Sequence, residues 1–205
     1  IRQPLQRRHA KVPEPGAFGT FVGKLTLTIR DGEVVGDSYE LLDVDPDKYP
    51  ADPQMAALIE QAKAPHREEL ERVMGYTSTP IYRYLTVETP MDHMITDAFR
   101  WKTGTQIALS NGFRYGNPVV PQNDRPAPIT MANLWNWMPL NTKLKTGKVK
   151  GEVLHQWLEN EVNNAFSPKP AERFGGYLVR FSGIRMRFEP SLPKGQRITE
   201  LLVDG

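Results

Sequence analysis

The sequence predicts an α/β (α+β) fold with a mixed sheet. Three observations carry this: a long alternating hairpin at residues 21–44, helix-spaced apolar runs at residues 91–103 and 150–166, and short apolar strands between and after those runs. In the hairpin, Leu25, Leu27 and Ile29 alternate with Lys24, Thr26, Thr28 and Arg30, and Asp31-Gly32 turns the chain into "EVVGDSYELLDV". One face of that hairpin is expected to be buried.

"DVDPDKYPADP" is an acidic, proline-rich connector whose Asp52-Pro53 supplies a helix N-cap followed by proline at the first helical position. Met55, Leu58, Ile59 and Ala62 keep helical spacing, Pro65 interrupts the run, and Leu70 and Val73 extend it to Gly75. From residue 76 the elements alternate. Met94, Ile95, Ala98 and Phe99 mark a helix ending at Gly104, and "TQIALS" is a buried strand leading into "NGFRYG". "NDRPAPIT" is a link, "MANLWNWM" a short helix or turn, and "KLKTGKV" a short strand. Leu154, Trp157, Leu158 and Val162 line one side of an amphipathic helix. "YLVRFSGIRMRFEP" and "RITELLVDG" are two strands joined by "SLPKGQ".

Composition excludes some functions. The 205 residues carry 26 basic and 24 acidic side chains for a net charge of +2, too balanced for nucleic acid as the main partner. No apolar run approaches the roughly 20 residues that span a bilayer, so no membrane association is expected. With no cysteine there is no disulfide and no thiolate nucleophile. The start at Ile1 and the close on Asp204-Gly205, a turn pair with no strand after it, are read as cuts in a longer polypeptide.

No metal or catalytic constellation is legible. His9, His66, His93 and His155 are scattered without a two-ligand spacing, and Glu88, Asp92 and Asp97 are expected to serve as helix caps or solvated acids. Arg185 and Arg187 alternate with Ile184, Met186 and Phe188 as on the solvated face of a strand, within a basic C-terminal quarter that includes Arg173, Arg180, Lys194 and Arg197. Trp135 and Trp137 suit either a pocket or a core. The residues that stand out are Asn111, Gly112, Phe113, Arg114 and Tyr115. A glycine-containing loop there lets backbone N–H groups, an amide and a guanidinium converge on an anion. The same residues also suit an Asn-Gly turn whose arginine caps carbonyls or pairs with an acid.

The order "MITDAFR", "SNGFRYG", "PITMANLWNWMPLN", "LKTGKVKGEVLHQWLE" and "GGYLVRFSGIRMRFEP" resembles the C-terminal domain of the 5′-nucleotidase family, and within it the SoxB-type thiosulfohydrolases. The upstream residues 12–45 resemble the closing strands of that family's N-terminal metallophosphoesterase domain. The resemblance implies three parts: closing strands over 1–50, a helical linker over 51–75, and a C-terminal substrate domain over 76–205, truncated at its end. It further implies two divalent metal ions, manganese by family habit, held by an N-terminal portion upstream of Ile1 and by no residue of this chain.

On that resemblance Asn111 and Arg114 match the asparagine and arginine of the family's Asn-Gly-Gly-Gly-Ile-Arg loop, shortened here because Phe113 directly follows Gly112. They would orient the substrate beside the metals, with Phe113 and Tyr115 shaping its channel. Where nucleotidases of the family read Pro-Phe, the phenylalanine stacking on the base, this sequence reads Met138-Pro139-Leu140-Asn141. Leucine has no π face, which favours the thiosulfohydrolase branch. That branch implies a periplasmic enzyme acting on the SoxYZ carrier protein, whose cysteine bears a thiosulfate-derived sulfonate released as sulfate. The alternatives are a 5′-nucleotidase or cyclic nucleotide phosphodiesterase, and a non-catalytic binding fragment.

Overall fold

The computed structural model describes residues 4–7, 10–16, 19–111, 116–140 and 142–203. They form two compact units, Ile1–Pro65 and His66–Gly205.

In the first unit, β1 (Leu5–Arg7) pairs antiparallel with β2 (Ala10–Val12). The long hairpin consists of β3 (Phe21–Arg30) and β4 (Glu33–Asp43). Asp31 and Gly32 take φ of 51° and 83°, the positive pair that a two-residue turn needs to match the twist of its strands. The expected burial of one hairpin face does not occur within this unit: Leu25, Leu27 and Ile29 are exposed, because two strands alone present no second layer to cover them. Helix α1 (Pro53–Lys63) starts where the sequence predicts, with the Asp52 side chain accepting from the Met55 amide at 2.8 Å. A single 3₁₀ turn at Ala64–His66, containing Pro65, ends the run.

The second unit opens with the short α2 (Arg67–Glu71) and with β5 (Val73–Thr77) in place of the continued helix. Strand β5 pairs antiparallel with β7 (Ala127–Thr130), inside the stretch expected to be a link. Pro128 hides this strand in the sequence, since proline has no N–H for a ladder and is confined to strand edges. Helix α3 (Pro90–Thr103) follows its expected course: the Thr89 hydroxyl accepts from the Asp92 amide at the start, and Gly104 closes the end at φ 66°. Strand β6 (Ala108–Ser110) pairs with β8 (Arg180–Ser182), and helix α4 (Met131–Trp137) begins at a capping box between Thr130 and Asn133.

Helix α5 (Gly151–Phe166) and strands β9 (Ile184–Phe188) and β10 (Ile198–Val203) complete the unit, the two strands antiparallel. The stretch expected as one strand is divided into β8 and β9 by Gly183. There φ is 82° and a Cβ would collide with the Gln106 carbonyl oxygen. Residues 142–149 form no strand. All the strand pairs are antiparallel among the described residues, so the α+β form is the one realised and the expected mixed sheet is not seen. The strands pair two by two instead of joining one larger sheet, so no strand among them gains a parallel neighbour.

Two cores are formed by the described residues of this unit. Leu154, Leu158 and Val162 of α5 pack with Leu178, Val179, Ile184 and Ile198. Ile81, Met91, Ile95, Val119, Ile129 and Trp137 form the other. Each such side chain contributes about 1.5–3 kcal/mol by leaving water.

Candidate functional site

Asn111, the first of the five singled-out residues, leaves the end of β6 and lines a cleft of about 410 Å³. Gly112, Phe113, Arg114 and Tyr115 lie outside the described residues. Leu109 and Ser110 of β6, Trp157, Glu161 and Asn164 of α5, and Phe174, Tyr177 and Val179 of the segment leading into β8 also line the cleft. Helical spacing puts Trp157, Glu161 and Asn164 on adjoining turns of one side of α5.

The cleft combines apolar rings with a few polar groups, the usual make-up of a small-molecule or peptide-arm site. Phe174 stands 90% exposed with its ring available for contact. Burial pushes the Glu161 carboxyl above its ordinary value, opposed by a hydrogen bond with Asn164. The Oδ1 atom of Asn164 is shut away from solvent without a hydrogen-bond partner among the described residues. Glu161, Asn164 and Phe174 do not stand out in the sequence, where they are far from Asn111; only the pairing of β6 with β8 brings Val179 and its neighbours alongside.

Beneath Asn111 is a buried ionic cluster. Asp92 sits between Arg83, whose Nε is 2.9 Å from Oδ1, and Arg180, whose Nε is 3.0 Å from Oδ2. The Thr89 hydroxyl donates to the same carboxylate at 2.6 Å. Two guanidiniums face one carboxylate, and backbone carbonyls complete the balance. Arg83 donates to the carbonyls of Trp137 and Asn111, and Arg180 to those of Leu85, Thr86 and Val87. Asp92 is thus an ion-pair partner in the interior rather than a solvated acid. Arg180 and Arg197 depart from the expected solvated basic surface and are buried, whereas Arg185 and Arg187 do face solvent.

Asp97 accepts from the Ser182 hydroxyl, and Glu88 faces His93 at 3.0 Å on the exposed side of α3. Trp137 belongs to a core while Trp135 is largely exposed. Among the described residues no three His, Cys, Asp or Glu side chains come together as a metal site. Nor is any described helix long and apolar enough to cross a membrane.

The pairing of β6 with β8 thus sets a cleft of ligand size beside α5 on an α+β scaffold, an arrangement of a ligand-binding class of domain. Residues 73–205, more than half of the chain, match the family model described as "5′-nucleotidase, C-terminal domain", and the chain belongs to that family. The solved Thermus thermophilus sulfate thiohydrolase SoxB in complex with glycerol superposes at a TM-score of 0.87 and 21% identity, covering 99% of this chain and 37% of that one. A 5′-nucleotidase precursor, also from Thermus thermophilus, superposes at 0.78 and 26% identity, covering 94% and 38%. Endonuclease YhcR of Bacillus subtilis strain 168 is 23% identical over 154 residues, 74% of this chain and 12% of that protein. The chain therefore spans well under half the length of these hydrolytic relatives.

Proposed function

We propose that this chain is the substrate-binding portion of a metal-dependent thiosulfohydrolase that releases sulfate from a cysteine S-thiosulfonate on the SoxYZ carrier. In this proposal a metallophosphoesterase portion of the same protein holds two divalent metal ions, manganese by family habit, and the enzyme works in the periplasm. Bound metals supply an activated water and a clamp on the anion. Hydrolysis places the water oxygen on the sulfonate sulfur, breaks its bond to the neighbouring sulfur, and leaves sulfate, a carrier persulfide and released protons.

The observation that carries the choice of substrate is Leu140. It is 61% exposed and offers no π face at the position where the resemblance puts the base-stacking phenylalanine of nucleotidases. Asn111 and Arg114 are assigned to orient the sulfonate or the arm that bears it, Gly112 to give the turn its freedom, and Phe113 and Tyr115 to guide the arm. Phe174 favours a second reading, since an exposed ring at the cleft wall suits a nucleobase as well as a peptide arm.

The test is sulfate release from thiosulfonate-loaded SoxYZ, with AMP hydrolysis in parallel, by a protein joining this chain to its metallophosphoesterase portion in the presence of manganese. Sulfate without nucleotide turnover is expected. Nucleotide turnover alone would establish the second reading, and no turnover of either would leave a binding module.

A further inference from the structure

We propose that Arg83, Tyr84 and Trp137 form a clamp that fixes the separation of Asn111 from Gly116 and Asn117, the described residues flanking 112–115. They would act as positioning residues for the cleft that Asn111 lines. The functional consequence rests on the reading of that cleft as a substrate site; the clamp itself rests on geometry.

At one end, Arg83 Nη2 donates to the Asn111 carbonyl at 3.1 Å. At the other, Trp137 Nε1 donates to the Asn117 carbonyl at 3.0 Å, and the Tyr84 hydroxyl to the Gly116 carbonyl at 2.9 Å. The two ends are joined because Arg83 Nη1 also donates to the Trp137 carbonyl, at 3.3 Å. Every one of these acceptors is main chain, so the clamp sets backbone position whatever side chains the loop carries. Gly116 fits against it closely: its φ is +80°, and a Cβ would collide with Trp137 Cδ1.

The clamp has a rigid foundation. Arg83 is 2% exposed and uses its remaining nitrogen, Nε, on Asp92 at the start of α3, which Arg180 and Thr89 hold from the other side. Only arginine offers three nitrogens in a fixed fork, one for each of three segments. Trp137, 1% exposed, is locked by packing with Met91, Ile95 and Ile129. Such a supporting shell confers binding strength by removing freedom before the ligand arrives.

The experiment uses Trp137→Phe, which keeps a ring but loses the Nε1 donor, and Tyr84→Phe, which removes only an exposed hydroxyl. Amide hydrogen exchange is followed in a peptide covering residues 108–119 and in one covering α5, and binding of AMP and of inorganic thiosulfate is titrated in the same proteins. Faster exchange in 108–119 by about tenfold, with α5 unchanged, is expected in both variants. A tenfold loss of affinity for whichever probe the unaltered chain binds should accompany it, about 1.4 kcal/mol. Unchanged exchange in 108–119, or an equal rise in α5, would overturn the clamp. If the unaltered chain binds neither probe, the substrate-site reading fails, and the exchange comparison still decides the clamp.

Discussion

Arg83 and Asp92 meet in the interior at 2.9 Å, nine residues apart in sequence and both withdrawn from solvent, with Arg180 on the carboxylate's second oxygen. Burying such charges is costly, and the cost is offset only while each partner remains. Asp92→Ala leaves two guanidiniums facing each other without a carboxylate. We expect it to lower the stability of His66–Gly205 by about 3–5 kcal/mol, read from urea unfolding by the fluorescence of the four tryptophans, all in that unit. A loss under about 1 kcal/mol would show that the carbonyls around Arg83 and Arg180 suffice.

Gly183 permits the break between β8 and β9. Alanine there would be strained at φ 82° and would press on the Gln106 carbonyl, two residues before β6 begins. Gly183→Ala should cost more than about 1 kcal/mol, with Gly147→Ala, which meets nothing within 4 Å at its Cβ, as the tolerated control in the same denaturation series. Equal effects would remove the steric reason for dividing the strand.

Glu172 should contribute to the acid limb of stability. Hydrogen bonds from Ser167 and Asn163, then Lys169, hold its carboxyl at about 2, against an ordinary 4.5. Because the folded value is depressed, its contribution is complete above 4.5 and disappears as pH falls from there through about 2. Glu172→Gln should flatten the stability profile in that window and leave neutral pH-dependence alone. An unchanged slope over that window would assign the acid limb to other carboxylates.

Glu161 has the opposite sign. Its folded value is raised, so its contribution is present below 4.5 and declines as pH climbs through the higher folded value. Since it lines the cleft, binding of an anionic ligand should weaken over the same rise, and Glu161→Gln should abolish that trend in a pH series of titrations. Persistence of the trend in the variant would place the titrating group elsewhere.

The elements that the sequence discloses are those with local chemistry. Thr89-Pro90 and Gly104 bracket α3, Asp31-Gly32 turns the hairpin, and the Leu154, Leu158 and Val162 stripe defines the buried side of α5. What it conceals depends on distant partners. Nothing near Arg180 indicates that it ends against Asp92 and the carbonyls of 85–87, far away in the chain, since a buried arginine and a solvated one look alike on a strand. Strand β7 is hidden by Pro128, and residues 142–149 have the alternation of a strand without a partner ladder. Of the site, Asn111 is legible from its Asn-Gly turn chemistry, whereas Phe174, Glu161 and Asn164 are recognised only when the fold gathers them.

Whether the cleft beside Asn111 holds the substrate arm is decided by titrating this chain with thiosulfonate-loaded SoxYZ and following its backbone by NMR. We expect perturbations concentrated at Asn111, Trp157, Phe174 and Tyr177, with Phe174→Ala weakening binding at least fivefold while leaving stability within about 0.5 kcal/mol, as befits an exposed side chain. Perturbations elsewhere, or undiminished binding by Phe174→Ala, would contradict it.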